Sequence, residues 1–183
     1  MRVLVACEFS GRVRDAFRRL GHDAWSCDIL ETEADPAFHL KGDVLGFLDR
    51  GWDLLIGHPP CTFLASSGAR WFRGREHLQD EAVRFFMALW RAPVARVCLE
   101  NPVGVMSSRF RKPDQIIQPW QFGHGEVKAT CLWLRGLTVL RGTDIVSGRE
   151  ALVHRCPPGP DRWKVRSRTY LGIADAMARQ WDY

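Results

Sequence analysis

The chain has 183 residues and lacks any apolar run of the length that a membrane-spanning helix needs. Its six cysteines, Cys7, Cys27, Cys61, Cys98, Cys131 and Cys156, form no Cys-x-x-Cys pair. Most lie in apolar, strand-like runs, which argues against a zinc site and against a disulfide framework. A core thiol is the ordinary reading of Cys7, Cys27, Cys98 and Cys131. No basic–apolar–small leader opens the sequence, because "RVLVACEF" starts a strand-like run at once. The expected compartment is therefore the cytoplasm. No internal repeat and no second unit large enough to fold alone is visible, so residues 1–183 read as a single domain.

What is present suits a globular domain. Hydrophobic residues make up 46% and charged residues 26%, enough for a sizeable core. The net charge of +5 suits a polyanionic partner without proving one.

The first half alternates strands and helices. Strand-like runs cover Arg2–Glu8, Asp23–Leu30, Ala37–Asp43, Trp52–Gly57 and Ala95–Pro102. Between the first two, Val13, Ala16, Phe17 and Leu20 fall at helical spacing, with Ser10 as the expected N-cap and Gly21 as the stop. Leu78, Ala82, Phe85, Phe86 and Leu89 make a second helical face, which Pro93 ends. "QIIQPW" and "TCLWLRGL" read as further strands, and "GIADAMARQW" as a short helix with Ile173, Met177 and Trp181 on one side. Residues 141–168 are rich in glycine, proline and basic residues, and "CPPGPDRWKVRSR" reads as loop. Such alternation predicts an α/β fold: a mostly parallel sheet with helices on both faces.

In sheets of this kind ligands lie beyond the C-terminal ends of the strands. There the sequence places Glu8-Phe9-Ser10-Gly11, Asp28, Asp43, Pro59-Pro60-Cys61 and Glu100-Asn101. Gly11 lets a ligand approach the backbone, although a plain strand-to-helix turn would look the same. Asp28, ending the second strand, suits ribose hydroxyls because a carboxylate accepts two hydrogen bonds at fixed geometry. Cys61 follows two prolines, which cannot continue a ladder. An exposed thiol near basic groups becomes thiolate-rich and nucleophilic, whereas a strand-end thiol can also be structural. Glu100 stands behind Val97-Cys98-Leu99, and burial of its carboxylate demands a partner or a proton. Protonated, it is a proton donor; partnered, it is a loop anchor.

Taken in order, "ACEFSGRV", "SCDIL", "LKGDV", "DLLIGHPPC…SSG" and "CLENP" resemble the DNA (cytosine-5)-methyltransferase family, in a small phage- or prophage-like version. The resemblance covers about Met1–Pro102. It implies a Rossmann-like S-adenosylmethionine-dependent methyltransferase fold, with DNA as partner and S-adenosylmethionine as cofactor. Phe9, Ser10, Gly11 and Pro59 would line the cofactor pocket, Asp28 would hold the ribose, Ile29 would pack on adenine and Asp43 would accept from its amino group. Cys61 would attack C6 of the pyrimidine, and Glu100 would hydrogen-bond or protonate N3. Asn101, Lys128, Arg166 and Arg168 would contact the base or the DNA.

Several positions depart from the family pattern. Val13 replaces a glycine, Thr62 follows the cysteine where glutamine is usual, and Pro102 stands where valine is common. "EVKAT", with Glu126, Lys128 and Thr130, stands where the family has Gln-x-Arg-x-Arg. Arg166 or Arg168 is then a candidate for the missing arginine. The large target-recognition domain is lacking, and residues 141–168 are the segment left to read DNA. Phosphate contacts would come from Arg70, Arg73 and Arg75, from Arg109, Arg111 and Lys112, and from Arg162, Lys164, Arg166 and Arg168. Trp71 and Trp163 lie among them and could stack on bases. Three functions stay open: methylation of cytosine C5 in DNA; the same chemistry on another pyrimidine, a free nucleotide or with a modified donor; and an inactive DNA-binding module.

Overall fold

A computed structural model describes residues 1–183, with the side chains of Trp71 and His154 outside the description. Seven strands form one sheet: β1 (Arg2–Ala6), β2 (Asp23–Asp28), β3 (His39–Lys41), β4 (Leu54–Gly57), β5 (Arg96–Pro102), β6 (Gln115–Ile117) and β7 (Thr130–Arg135). Their order is β3-β2-β1-β4-β5-β7-β6. The pairs β3–β2–β1–β4–β5 are all parallel, and only β7 runs against the rest, antiparallel to both β5 and β6. The order reverses between β1 and β4, and sheets of this kind bind ligands beyond the strand C-termini at such a switch point.

Alternation along the central strands feeds two cores. On one face Val3, Val5, Leu54 and Ile56 meet Val13 and Phe17 of α1 (Arg12–Arg19) and Ile173, Met177 and Trp181 beside α6 (Leu171–Gln180). On the other, Leu4, Leu55, Val97 and Leu99 meet Phe86 and Leu89 of α2 (Glu76–Trp90), with Trp133. Each of these large side chains contributes about 1.5–3 kcal/mol by leaving water. The expected faces of α1 and α6 are buried except for Leu20, which is exposed; of the α2 face Phe86 and Leu89 are buried, while Leu78, Ala82 and Phe85 are only partly so.

Three local readings change. Ser10 does not cap α1; Gly11 holds the cap position at φ 70°, and the Glu8 carboxylate reaches over to accept from the Val13 and Arg14 amides at 2.7 and 3.2 Å. Helix α2 stops at Trp90, ahead of Pro93, with the Arg91 amide closing onto the Leu89 and Met87 carbonyls. The segment 141–168 is not all loop: it holds α4 (Leu152–Arg155) and α5 (Arg162–Ser167). Helix α5 buries no residue. Its pattern therefore carries no apolar stripe for sequence reasoning to detect. Between them and α2 lies one more turn, α3 (Met106–Arg109).

Among the described residues no helix is long and apolar enough to cross a membrane. Nor do three His, Cys, Asp or Glu side chains converge as metal ligands would.

Candidate active site

Parallel strands β4 and β5 are in register at Gly57 and Leu99, so the residues that follow, His58 and Glu100, emerge side by side. His58 Nδ1 lies 2.7 Å from Glu100 Oε2, and both side chains are nearly buried, at 11% and 14% exposure. Burial alone would push the Glu100 carboxyl up, but the hydrogen bond and charge of His58, with Lys128, hold it below the usual carboxylate range. The same partnership works on His58. Burial would lower the imidazole, and Glu100, helped by Glu8, raises it. Both directions favour an imidazolium beside a carboxylate. Glu100 thus meets its burial with a partner rather than with a proton.

The chain from His58 runs through Pro59 and Pro60 to Cys61. Asn101, buried on β5, donates Nδ2 to the Pro59 carbonyl at 2.8 Å and pins this turn to the next strand. The Cys61 carbonyl accepts from the Leu64 and Ala65 amides, which curls the chain away and leaves Cys61 exposed. It is the only exposed one among the six cysteines. Its thiol is nevertheless raised, first by local desolvation and then by the Glu100 charge, while Lys128 and Arg166 pull it down. The basic neighbours expected beside a reactive thiol are present, but desolvation together with the Glu100 charge outweighs them, and the resting group is a thiol.

Lys128 precedes β7, which pairs with β5 at Glu100. Its Nζ donates to the Arg166 carbonyl at 2.8 Å and so ties α5 to the mouth of the site. Cys61, Glu100, Asn101, Lys128 and Arg166, far apart in sequence, thus gather at one end of the sheet. Arg168 is engaged elsewhere: its guanidinium grips the Glu33 carboxylate with two bonds of 2.8 and 2.6 Å. Other basic residues are also committed, Arg109 to Asp80, Arg111 to Asp114 and Lys164 to Asp161.

The second cluster lies across β1. Asp28 and Asp43 both act on the Cys7 thiol, which burial already raises, so the two carboxylates converge at the ends of β2 and β3. Asp28 accepts from the Leu30 amide and Asp43 from the Leu45 amide. Beside Asp28, Ile29 is 72% exposed, an apolar side chain turned to solvent next to two carboxylates. That donor set fits a ribosyl adenine: carboxylates for hydroxyl and amino hydrogens, and an aliphatic surface for the ring. Gly11 sits at φ 70°, where a Cβ would lie 2.8 Å from both the Ala34 Cβ and the Arg14 Nη2. Ser10 is buried, its Oγ 3.3 Å from Glu8. Phe9 is also buried, its ring 5.6 Å from that of Trp163 on α5. Trp163 thus lies against Phe9 while remaining half exposed. The expected stacking role of Trp71 lies outside the described residues.

Sequence reasoning passed over His58. Its signal, a strand-end histidine level with a strand-end glutamate, becomes readable only once β4 and β5 are known to be parallel neighbours in this register.

No protein-family profile matches the chain. A search of curated proteins finds no match either. Solved structures do match. One is described as a DNA modification methyltransferase encoded within an E. coli prophage, with TM-score 0.53 and 15% identity over 80% of this chain and 52% of that one. Another is the S. pombe Dnmt2 methyltransferase, with TM-score 0.51 and 14% identity over 85% of this chain and 54% of that one. The chain spans about half the length of these two proteins. The architecture, a mostly parallel Rossmann-like α/β sheet, is a fold that the chain shares with these two methyltransferases.

Proposed function

We propose that the chain transfers a methyl group from S-adenosylmethionine to C5 of cytosine in DNA, through a covalent adduct on Cys61. One observation carries the reading. The exposed Cys61 and the ionised Glu100 stand on adjacent strand ends, close enough for the carboxylate to act on the thiol. C5 of cytosine is a poor nucleophile, and transient addition at C6 with a proton on N3 divides one hard step into easier ones. Bound S-adenosylmethionine would supply an electrophilic methyl group. Asp28, Ile29 and Asp43 would hold its nucleoside part, with Gly11 at the turn beside it. Cys61 forms the bond to C6, and Glu100 contacts N3. Loss of the C5 proton then lets the sulfur leave. Lys128 and Arg166, on the rim beside Cys61, favour the thiolate and a nearby phosphate alike. The base must leave its stack to reach Cys61. The DNA modification methyltransferase fold of the prophage protein supports DNA as the acceptor.

One observation favours a second reading. An ionised Glu100 accepts directly from the N3–H of uracil, which cytosine lacks. Incubation with labelled S-adenosylmethionine and mixed-sequence DNA, with and without deoxyuridine, followed by nucleoside mass spectrometry, separates them. We expect labelled 5-methylcytosine. Labelled thymine alone moves the acceptor to uracil, and no labelled nucleoside overturns both.

A further inference from the structure

We propose that His58 is a positioning residue, which holds Glu100 as a proton carrier between the Cys61 sulfur and N3 of the acceptor base. The inference rests on the cytosine reading and adds to it the source of the N3 proton.

The geometry is specific to this pair. His58 is fixed by its backbone, whose amide donates to the Ala6 carbonyl of β1 at 2.9 Å. Its Nδ1 meets Glu100 at 2.7 Å, while its Nε2 is buried and has no partner among the described residues. A histidine kept only for packing would be poorly suited here, because a buried nitrogen without a partner costs stability and an aliphatic side chain carries none. The nitrogen that is engaged is the one aimed at Glu100. The surrounding charges act on the pair in both directions. Glu8, at the end of β1, and Asp28, at the end of β2, favour the imidazolium; Lys128, before β7, opposes it and favours the carboxylate; the Glu100 charge in turn raises the Cys61, Cys98 and Cys131 thiols, while Arg166 of α5 lowers Cys61.

These charges set the proton balance. At rest the site holds a Cys61 thiol, a Glu100 carboxylate and a His58 imidazolium. The carboxylate takes the sulfur-bound proton as sulfur bonds to C6, and the electrons displaced from the C5–C6 bond flow toward N3. Glu100, held acidic by His58, passes that proton to N3. The carboxylate and imidazolium are regenerated, and no proton enters from outside. Without His58 the buried carboxyl would hold the proton more tightly and sit less firmly.

The test compares the wild type with His58→Ala and His58→Asn. The readouts are the rate of adduct formation on 5-fluorocytosine DNA across pH, and cofactor affinity by calorimetry. His58→Ala should slow adduct formation at least tenfold and leave cofactor affinity unchanged. His58→Asn, whose amide can still donate to Glu100, should recover part of that rate but lose the fall in rate at high pH that accompanies imidazolium deprotonation. A His58→Ala protein with the wild-type rate and pH profile overturns the proposal. Histidine-labelled NMR of the wild type decides the pairing should that variant fail to fold. The His58 ring should stay doubly protonated above the ordinary imidazole range and lose this in Glu100→Gln; a neutral ring near pH 7 overturns the proposal. An inactive wild type overturns the cytosine reading, and the carrier role with it, whatever the imidazole spectrum shows.

Discussion

The Glu8 carboxylate accepts from the Val13 amide at 2.7 Å, across the turn that opens α1. A second bond from the Arg14 amide and one from the Ser10 hydroxyl complete the contact. A fully buried carboxylate therefore does the work of an N-cap, satisfying helix amides that have no partner within the helix. The same residue acts on His58. One side chain thus links the turn at Gly11 to the His58–Glu100 pair.

Glu8→Ala should accordingly destabilise the fold by about 1–3 kcal/mol, the cost of leaving buried donors unmet. Urea denaturation with an unchanged m-value measures it. A loss below about 0.5 kcal/mol would show that water replaces the carboxylate easily.

Gly11→Ala tests the turn itself. The left-handed φ costs an L-residue about 1–2 kcal/mol. The new Cβ must also displace Ala34 or the buried Arg14 guanidinium. We expect a loss of stability in that range or above it, together with weaker S-adenosylmethionine binding by calorimetry. Stability equal to wild type would mean that the 29–36 loop gives way without cost.

Much of this fold could be read from the chain. Short apolar runs marked the strands, and the 3.6-period faces of α1, α2 and α6 mark the sides that pack on the sheet, with Leu20 left exposed. Local patterns do not encode how separate strands sit beside each other. His58 and Glu100 are 42 residues apart, and only the parallel β4–β5 register brings them level. Helix α5 was unreadable for another reason. Its contacts are made by single groups, the Lys128 ammonium on the Arg166 carbonyl and the Trp163 ring on Phe9, rather than by a repeating apolar stripe. The resting state of Cys61 was equally hidden, because basic residues are visible in sequence while the desolvation of the thiol and the competing Glu100 charge depend on placement.

The His58–Glu100 pair also predicts how stability varies with pH. Glu100 is lowered, so its contribution is present above the ordinary carboxylate range and fades as pH falls through its depressed titration. His58 is raised, so its contribution is present below the ordinary imidazole range and fades as pH rises through its elevated titration. The stability difference between wild type and His58→Asn should therefore peak between the two ranges and shrink on both sides. Denaturant melts at a series of pH values would give this curve, and a flat difference would mean that the pair is not ionised in the folded protein.

Asp28→Ala probes the nucleoside end. If Asp28 holds ribose hydroxyls, its loss should weaken S-adenosylmethionine binding by about 1.5–3 kcal/mol, the range for hydrogen bonds to a charged group. Asp28 also accepts from the Leu30 amide, so the fold should be checked in parallel. Unchanged affinity by calorimetry would place the cofactor elsewhere.

Cys61 carries the decisive prediction. It alone among the six cysteines is exposed, behind two prolines and beside Glu100. Serine keeps the size and hydrogen-bonding capacity of the residue, but near neutral pH its hydroxyl is a far weaker nucleophile than a thiol that an adjacent carboxylate can deprotonate. Cys61→Ser should therefore abolish methyl transfer while the melting curve and cofactor affinity stay close to wild type, since an exposed side chain contributes little packing. DNA carrying 5-fluorocytosine should trap a covalent complex with the wild type, because fluorine at C5 cannot leave as the proton does, and Cys61→Ser should trap none. Mass spectrometry of the digested complex should find the base on the peptide that contains Cys61. Turnover by the serine variant, or a trapped complex that survives the substitution, would make Cys61 a structural thiol and send the search for the nucleophile elsewhere.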